Sequence, residues 1–315
     1  MSEDELFSVY LATTINSEIS FDYISKLLKK SDIVYHYTDF NGLIGIVQNN
    51  SLFSSNATHL NDYSELEYGN ILISETILEI IERKELKSYV NFGEEEINLL
   101  QKTLRLLGDW SNSKICVCCF SYNRDLLSQW RGYANNGNGV AIGFSIDELR
   151  DSITPRVQNA MVEYSRKNQK KDLEEIIAIA LDYALVKYSE FGYTKIQVTK
   201  YFPKALVSIL NSLTPRFKDT GFKEEDEFRL IYDPIYHEKH KGENEKIPDK
   251  LFRSNGKHLI SFIELKPLKK IFPIQEIVIG PSLHKDRIRN GIQELLLNSG
   301  YTNVKVTYSK IPLVT

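Results

Sequence analysis

The sequence predicts a mixed α+β fold. Short apolar segments with the character of strands are separated by long excursions, several of which repeat apolar residues at helical spacing. The chain has 315 residues, of which 42% are hydrophobic and 11% aromatic, so it can build a substantial core. The sequence contains no internal repeat and no low-complexity tract. We therefore expect one domain over residues 1–315.

The first third of the chain predicts a helical extension followed by a compact strand–helix–strand unit. Residues 1–30 have helical character and end in the amphipathic segment FDYISKLLKK. Two longer helices follow the compact unit, and the first keeps Ile73, Ile77 and Ile80 at helical spacing. The predicted elements are, in order, a strand over Ile33–Tyr37, a helix over Phe40–Gln48, a strand over Leu52–Ser55, and helices over 62–83 and Glu94–Leu107.

The rest of the chain alternates buried strands with helices. KICVCCFS is predicted as a buried strand by its continuous apolar run. Residues 165–216 hold two helices, interrupted or kinked at Pro203, which we interpret as a helical insertion. A charged loop, HEKHKGENEKIPDK, separates the later strands. The remaining elements are a short helix LLSQWRGYA, the strands GNGVAIGF, RVQNAMVEYS, DEFRLIY, HLISFIEL and IQEIVIG, the helix KDRIRNGIQELLLNSG, and a terminal strand VKVTYSKIPL.

Composition narrows the classes of function. The formal net charge is −3, so the chain has no overall basic excess for sequence-independent binding of nucleic acid. A local basic cleft is still compatible with this charge. Cys116, Cys118 and Cys119 share one apolar run, a spacing that predicts neither zinc ligation nor a disulfide framework. The N-terminus lacks a signal-peptide pattern, and no apolar run approaches the roughly 20 residues of a membrane span. We expect a cytoplasmic protein without membrane contact.

Three polar clusters at the ends of predicted strands are candidates for a site. The first is His36-Tyr37-Thr38, in which strand alternation places His36 and Thr38 on one face. A strand-end His can also be a satisfied structural residue. Asn61 and Asp62, further along, are either part of a site or only the cap of the following helix.

The second cluster surrounds Ser121, Trp130 and Tyr133. Ser121 ends the buried KICVCCFS strand, and Trp130 and Tyr133 are three residues apart, which predicts a shared helix face. Two such aromatics form either a stacking platform or core.

The third cluster is Glu225, Glu227 and Arg229. Their alternation predicts that all three project from one face of the DEFRLIY strand. Neighbouring carboxylates repel, and Arg229 can offset that repulsion. Two carboxylates and an arginine on one strand face are typical of a catalytic or binding site, and equally of an exposed edge strand.

These motifs together resemble the domain-of-unknown-function 2971 family. The resemblance begins with YHYTDFNGLIGIVQNNSLFSSNATHLNDYSE and continues through CFSYNRDLLSQWRGYANNGNGVAIGF. It ends with FKEEDEFRLIY, IQEIVIGP and SKIPL, and it omits the N-terminal helix and the helical insertion. One departure is Phe222, where the family usually has Trp.

The opening His-Tyr-Thr strand, helix and short strand also resemble the ADP-ribosyltransferase fold, including DNA-modifying toxins and RNA 2′-phosphotransferases. This resemblance implies a split β-sheet core with inserted helices, and NAD as the nucleotide substrate. Breaking the bond from ribose to nicotinamide develops positive charge that a carboxylate stabilises. The resemblance assigns catalysis to Glu227, with Glu225 as its helper and with His36. It assigns nucleotide binding to His36, Tyr37, Thr38, Asn61, Asp62, Ser121, Trp130, Tyr133 and Arg229, with no metal.

The function implied is NAD-dependent ADP-ribosyl transfer to a protein or nucleic-acid acceptor, in a bacterial toxin or anti-phage defence effector. The alternatives are a non-catalytic nucleotide-binding module, or a nucleic-acid-processing enzyme such as a phosphotransferase or nuclease. A metal-dependent nuclease needs several converging carboxylates. The ADP-ribosyltransferase hypothesis carries one geometric expectation, that His36 and Glu227 lie in one cleft.

Overall fold

The computed structural model describes residues 7–15, 31–59, 64–86, 89, 92–108, 114–243, 245–254, 256 and 258–312, and confirms the α+β class. Its α-helices are α1 (7–15), α2 (Phe40–Gln48), α3 (Ser64–Arg83), α4 (Glu94–Leu106), α5 (Leu127–Tyr133), α6 (Ile146–Asp151), α7 (Arg166–Leu185), α8 (Lys195–Leu213), α9 (Pro234–His240) and α10 (Lys285–Asn298). Its strands are β1 (Ile33–Thr38), β2 (Leu52–Asn56), β3 (Cys116–Ser121), β4 (Val140–Ser145), β5 (Ile153–Thr154), β6 (Gln158–Met161), β7 (Glu227–Tyr232), β8 (Leu251–Ser254), β9 (Leu259–Pro267), β10 (Ile274–Ile279) and β11 (Lys305–Tyr308).

The chain divides into two compact units. The first, a helical unit, comprises Met1–Leu27, Ala57–Ile115 and Val162–Gly221, and the second, a sheet unit, comprises Leu28–Asn56, Cys116–Met161 and Phe222–Thr315. Each unit therefore combines three separate segments of the chain.

The helical unit buries the apolar faces of its long helices against one another. Leu72, Ile73 and Ile77 of α3 are fully buried and share a core with Leu173 of α7 and Leu206 of α8. Ion pairs such as Arg83–Glu174 (2.7 Å) connect α3 and α7 on the outside. Pro203 lies inside α8, which continues through it to Leu213. The helices predicted within 165–216 are thus observed, and they share their core with α3 and α4.

The sheet unit is built on one largely antiparallel sheet with the order β11-β10-β4-β1-β3-β2-β9-β5. β7 pairs with β3 and β6, and β8 pairs with β9, while β10 and β11 are parallel. One face carries the main apolar core, which includes Val34, Phe120, Ile142 and Phe144. The cysteine strand is buried as predicted, and burial raises the pKa of Cys118 to about 12.

The sheet divides at β3. One edge of β3 pairs with β7 along its whole length, whereas the other edge is shared by two strands. β1 reaches only the end of that edge and β2 only its beginning, so β1 and β2 diverge over the middle of β3. We call this region the split. The pairs that bound it are Tyr35↔Ser121 on one side, and Ser55↔Val117 and Asn56↔Cys116 on the other.

Candidate functional site

His36 lies in the split. Its Nδ1 is 2.9 Å from the carbonyl oxygen of Cys119, in the part of β3 that lacks a strand on that edge. Because a carbonyl only accepts, Nδ1 carries the proton and a neutral ring presents Nε2 as an acceptor. Burial lowers the pKa of His36, and the positive charge of Arg253 lowers it further. His36 is therefore a neutral imidazole at pH 7.

Arg253 supplies a positive charge to the same region. It projects from β8, and its Nη2 donates to Ser55 Oγ on β2 at 3.1 Å. Its contribution to the lowered pKa of His36 is smaller than that of burial. The sequence pattern missed Arg253, because β8 is only four residues long and follows a charged loop.

Ser54 adds a hydroxyl beside the split. It is fully buried on β2, and its Oγ has no hydrogen-bond partner among the described residues. A buried hydroxyl without a partner costs about 1–3 kcal/mol, so its presence calls for an explanation such as a ligand. His36 of β1 and Ser54 of β2 are on strands that bound the split. Arg253 of β8, in contrast, reaches the edge of the split through its hydrogen bond to Ser55.

Tyr37 and Thr38 have local structural roles. The Tyr37 hydroxyl donates to the Asn123 carbonyl at 2.7 Å and accepts from Leu126 N at 3.1 Å. Those bonds hold the loop after β3 and leave the hydroxyl little capacity for a nucleotide. Thr38 Oγ1 packs so closely on Gly42 of α2 that a Cβ there would overlap it.

Trp130 and Tyr133 differ in burial, so of the two alternatives the structure favours core for Trp130 over a stacking platform built by both. Trp130 is fully buried, and its indole N–H donates to Asp125 at 2.7 Å, whereas Tyr133 is 47% exposed. Three residues turn a helix by about 300°, which leaves the two side chains about 60° apart around the axis, with Trp130 toward the core and Tyr133 at the exposed edge. Asp125 also accepts from Ser309 and Lys310 N, so Trp130 helps to anchor a loop.

Ser121 also acts on a turn. Its hydroxyl donates to the Glu225 carbonyl at 2.6 Å and accepts from Asn123 N at 3.0 Å. These bonds connect the end of β3 to the segment just before β7. Asn123 strengthens this connection by donating from Nδ2 to the Glu224 carbonyl at 3.3 Å.

The third predicted cluster is only partly correct. Glu227 and Arg229 do share a face of β7, where they form a buried ion pair with Nη2 and Oε2 2.7 Å apart. Glu225 is not on that strand, since it ends a 3₁₀ turn over Thr220–Glu225. Asp226, between the turn and the strand, has a φ of 46°, and this left-handed residue breaks the alternation that the sequence suggested.

The expectation that His36 and Glu227 share a cleft is wrong. Glu227 pairs with Ser121, and Ser121 pairs with Tyr35, so the side chains of these three residues lie on one face of the sheet. His36 is the neighbour of Tyr35 and points to the other face, where its ring lies 5.5 Å from that of Phe120. Strand alternation therefore separates His36 from Glu227.

The remaining expectations concern Asn61 and Asp62, a metal site and a membrane-spanning helix. Asn61 and Asp62 lie outside the described residues. The described ranges contain no group of three or more His, Cys, Asp or Glu placed to hold a metal ion. No helix within those ranges has the length and apolar character needed to cross a membrane.

Comparison with known proteins supports the first resemblance over part of the chain. Residues 129–230 match the model of a family described as "Protein of unknown function (DUF2971)". The matched range begins in α5, ends in β7 and includes α7 and α8, whereas β1, β2 and β3, which form the split, all lie outside it. No curated protein and no solved structure matched the chain.

Proposed function

We propose that the split binds a nucleotide carrying a diphosphate, with NAD as the leading ligand. The observation that carries this proposal is that His36 lies in the divided sheet with its Nδ1 held by the Cys119 carbonyl, while Arg253 contacts Ser55 at the edge of the split. The unprotonated Nε2 of His36 accepts a hydrogen bond from a ribose hydroxyl. The Arg253 guanidinium pairs with a phosphate, and its planar donors suit that geometry.

We further propose that the bound NAD is a substrate for ADP-ribosyl transfer. The resemblance of the His-Tyr-Thr strand to the ADP-ribosyltransferase fold supports this reaction, and so does the division of the sheet next to that strand. The role of a bacterial toxin or anti-phage effector rests on the resemblance alone. In this proposal Glu227 has no contact with the substrate, because it faces the other side of the sheet.

A non-catalytic nucleotide-binding module is the second candidate. The observation that favours it is the position of Glu227, the carboxylate expected to stabilise the developing charge. It is 7% exposed and is engaged in an ion pair with the buried Arg229. If no carboxylate acts beside the binding groups in the split, the protein binds NAD and does not consume it.

Binding and consumption are measured separately to test these proposals. In calorimetric titrations with NAD, we expect Arg253→Gln to weaken binding about tenfold or more, since a hydrogen bond to a charged group contributes about 1.5–3 kcal/mol. Lys305→Gln, an exposed cation on β11, is the control and should bind like the wild type. The absence of NAD binding by the wild type would contradict both candidates.

Mass spectrometry of NAD incubated with the protein and cell lysate then distinguishes the candidates. Release of nicotinamide together with ADP-ribosylated macromolecules supports transfer. Binding without any loss of NAD supports the module.

A further inference from the structure

The segment 246–270, which contains β8 and β9, concentrates positive charge. It carries seven Lys or Arg residues against two Asp or Glu, a net charge of +5, in a chain whose net charge is −3. One of the two acids, Glu264, is already paired with Lys266 at 3.1 Å. Lys246, Lys250 and Lys269 are exposed, and no ion pair joins any of them to another described residue.

The same hairpin exposes large apolar side chains. Phe252 is 64% exposed and Leu259 is 68% exposed. Phe252 pairs with Ser261 and Leu259 pairs with Ser254, so the two apolar side chains share one face of the hairpin. Among the described residues β8 pairs only with β9, and all four residues of β8 are exposed.

These two properties together select one class of partner. An exposed apolar patch alone suits many ligands, but the lysines carried by the same segment favour a polyanion. An exposed aromatic ring next to lysines is suited to a nucleic acid, whose bases stack on the ring while the cations contact phosphates. A duplex keeps its bases stacked inside, so only a single strand offers them to Phe252.

We propose that the β8–β9 hairpin binds single-stranded nucleic acid, with a base stacked on Phe252 and phosphates held by Lys246, Lys250 and neighbouring lysines. Arg253 is on the same short strand and reaches β2 at the split. Because Phe252 and Arg253 are consecutive on β8, they project from opposite faces of the hairpin, so the base contact and the Arg253–Ser55 contact use different faces. The binding surface does not depend on the nucleotide site in the split, and it is tested without NAD.

The experiment measures fluorescence anisotropy of labelled single-stranded DNA and RNA oligonucleotides of mixed sequence, with a duplex of the same sequence alongside. We expect the wild type to bind the single strands more tightly than the duplex, and to bind less tightly as salt is raised. Phe252→Ala should weaken single-strand binding about tenfold, because stacking on one aromatic contributes on the order of that factor. Lys246→Glu with Lys250→Glu should weaken binding further and flatten its salt dependence.

The control variants carry matched changes elsewhere on the sheet unit. Leu297→Ala removes an exposed apolar side chain from α10, and Lys305→Glu reverses an exposed charge on β11. Both should bind like the wild type. The proposal is overturned if the wild type binds no oligonucleotide, if it prefers the duplex, or if the hairpin variants bind as well as the controls. Because NAD is absent, none of these results bears on NAD binding in the split.

Discussion

At the scale of single residues, the environment of His36 is the feature with the clearest chemical consequence. Its Nδ1–H is committed to the Cys119 carbonyl, and burial lowers its pKa. A strand-end His was the visible signal in the sequence, but only the neighbours show that it is neutral and which nitrogen is available. The same contacts predict how stability responds to pH.

The pKa of His36 in the folded protein is below its ordinary value of 6.5, so the unfolded chain binds more protons as the pH falls below 6.5. The stabilisation from keeping His36 neutral is complete above that pH. It is lost as the pH falls from 6.5 toward the lower value in the folded protein. We therefore expect the wild type to lose more unfolding free energy between pH 7.5 and pH 5.5 than His36→Gln, which cannot titrate.

Urea unfolding of both proteins at the two pH values measures this difference. The Gln side chain keeps an N–H donor for the Cys119 carbonyl, so the comparison isolates the proton. Equal losses in the two proteins would show that His36 does not titrate in this range.

Glu227 and Arg229 provide a second residue-scale prediction. Glu227→Gln removes a charge that faces the buried Arg229 guanidinium, and breaking one partner of a buried pair typically costs about 3–5 kcal/mol. We expect a loss of about that size in chemical unfolding. Glu224→Gln, at an exposed position of the preceding 3₁₀ turn, should change stability by no more than about 0.5 kcal/mol.

The charge-neutral pair Glu227→Gln with Arg229→Met should recover part of the loss, since no uncompensated charge remains buried. A wild-type midpoint for Glu227→Gln alone would show that the ion pair contributes nothing to folding.

At the scale of elements, α7 and α8 are part of the core of the helical unit. Their buried residues form one apolar cluster with those of α3 and α4, although the four helices come from separate parts of the chain. If α7 and α8 were an insertion with a separate core, a mutation in them would leave the packing of α3 and α4 unchanged. A shared core instead couples the four helices.

We therefore expect Leu206→Ala in α8 to lower the unfolding free energy by about 2–5 kcal/mol, the usual cost of emptying a fully buried aliphatic site. Ile196→Ala in the same helix is the control. Ile196 is 81% exposed, so this change should cost no more than about 0.5 kcal/mol. Hydrogen exchange should show α3 losing protection together with α8 in Leu206→Ala. Loss of protection confined to α8 would contradict the coupling.

At the scale of the whole molecule, charge is distributed unevenly. The net charge of −3 conceals a segment of +5 at residues 246–270, so the rest of the chain carries −8. A global charge therefore says little about which partners a local surface selects. The sheet unit combines this basic hairpin with the split, through Arg253 on β8.

Much of the secondary structure was predictable from the sequence. The helix over Phe40–Gln48 agrees at both ends, and the strands beginning at Ile33 and Leu52 extend one residue further than predicted. These segments are short, strongly apolar or clearly periodic, which is where pattern is most informative. β8 and α9 were missed, because charged residues surround both and neither has a regular apolar spacing.

The candidate site was much less predictable. His36 was found because a polar triplet ends an apolar strand, but Arg253 and Ser54 gave no such signal. The prediction placed Glu225 on the strand with Glu227 and Arg229. The left-handed backbone of Asp226 separates Glu225 from the strand, and the alternating sequence gives no sign of it. For Trp130 the sequence left a stacking platform and core as alternatives, and the structure shows that it is core.

By itself, the sequence determined the α+β class, the buried cysteine strand and the resemblance to the DUF2971 family, whose model matches residues 129–230. These properties depend on local pattern and composition, which the chain carries at every position. Only the tertiary structure decided that β1 and β2 diverge along β3, that His36 and Glu227 face opposite sides, and that Arg253 reaches the split. The reason is register, because a shift of one residue between strands reverses every side chain, and no local pattern specifies which distant residues pair.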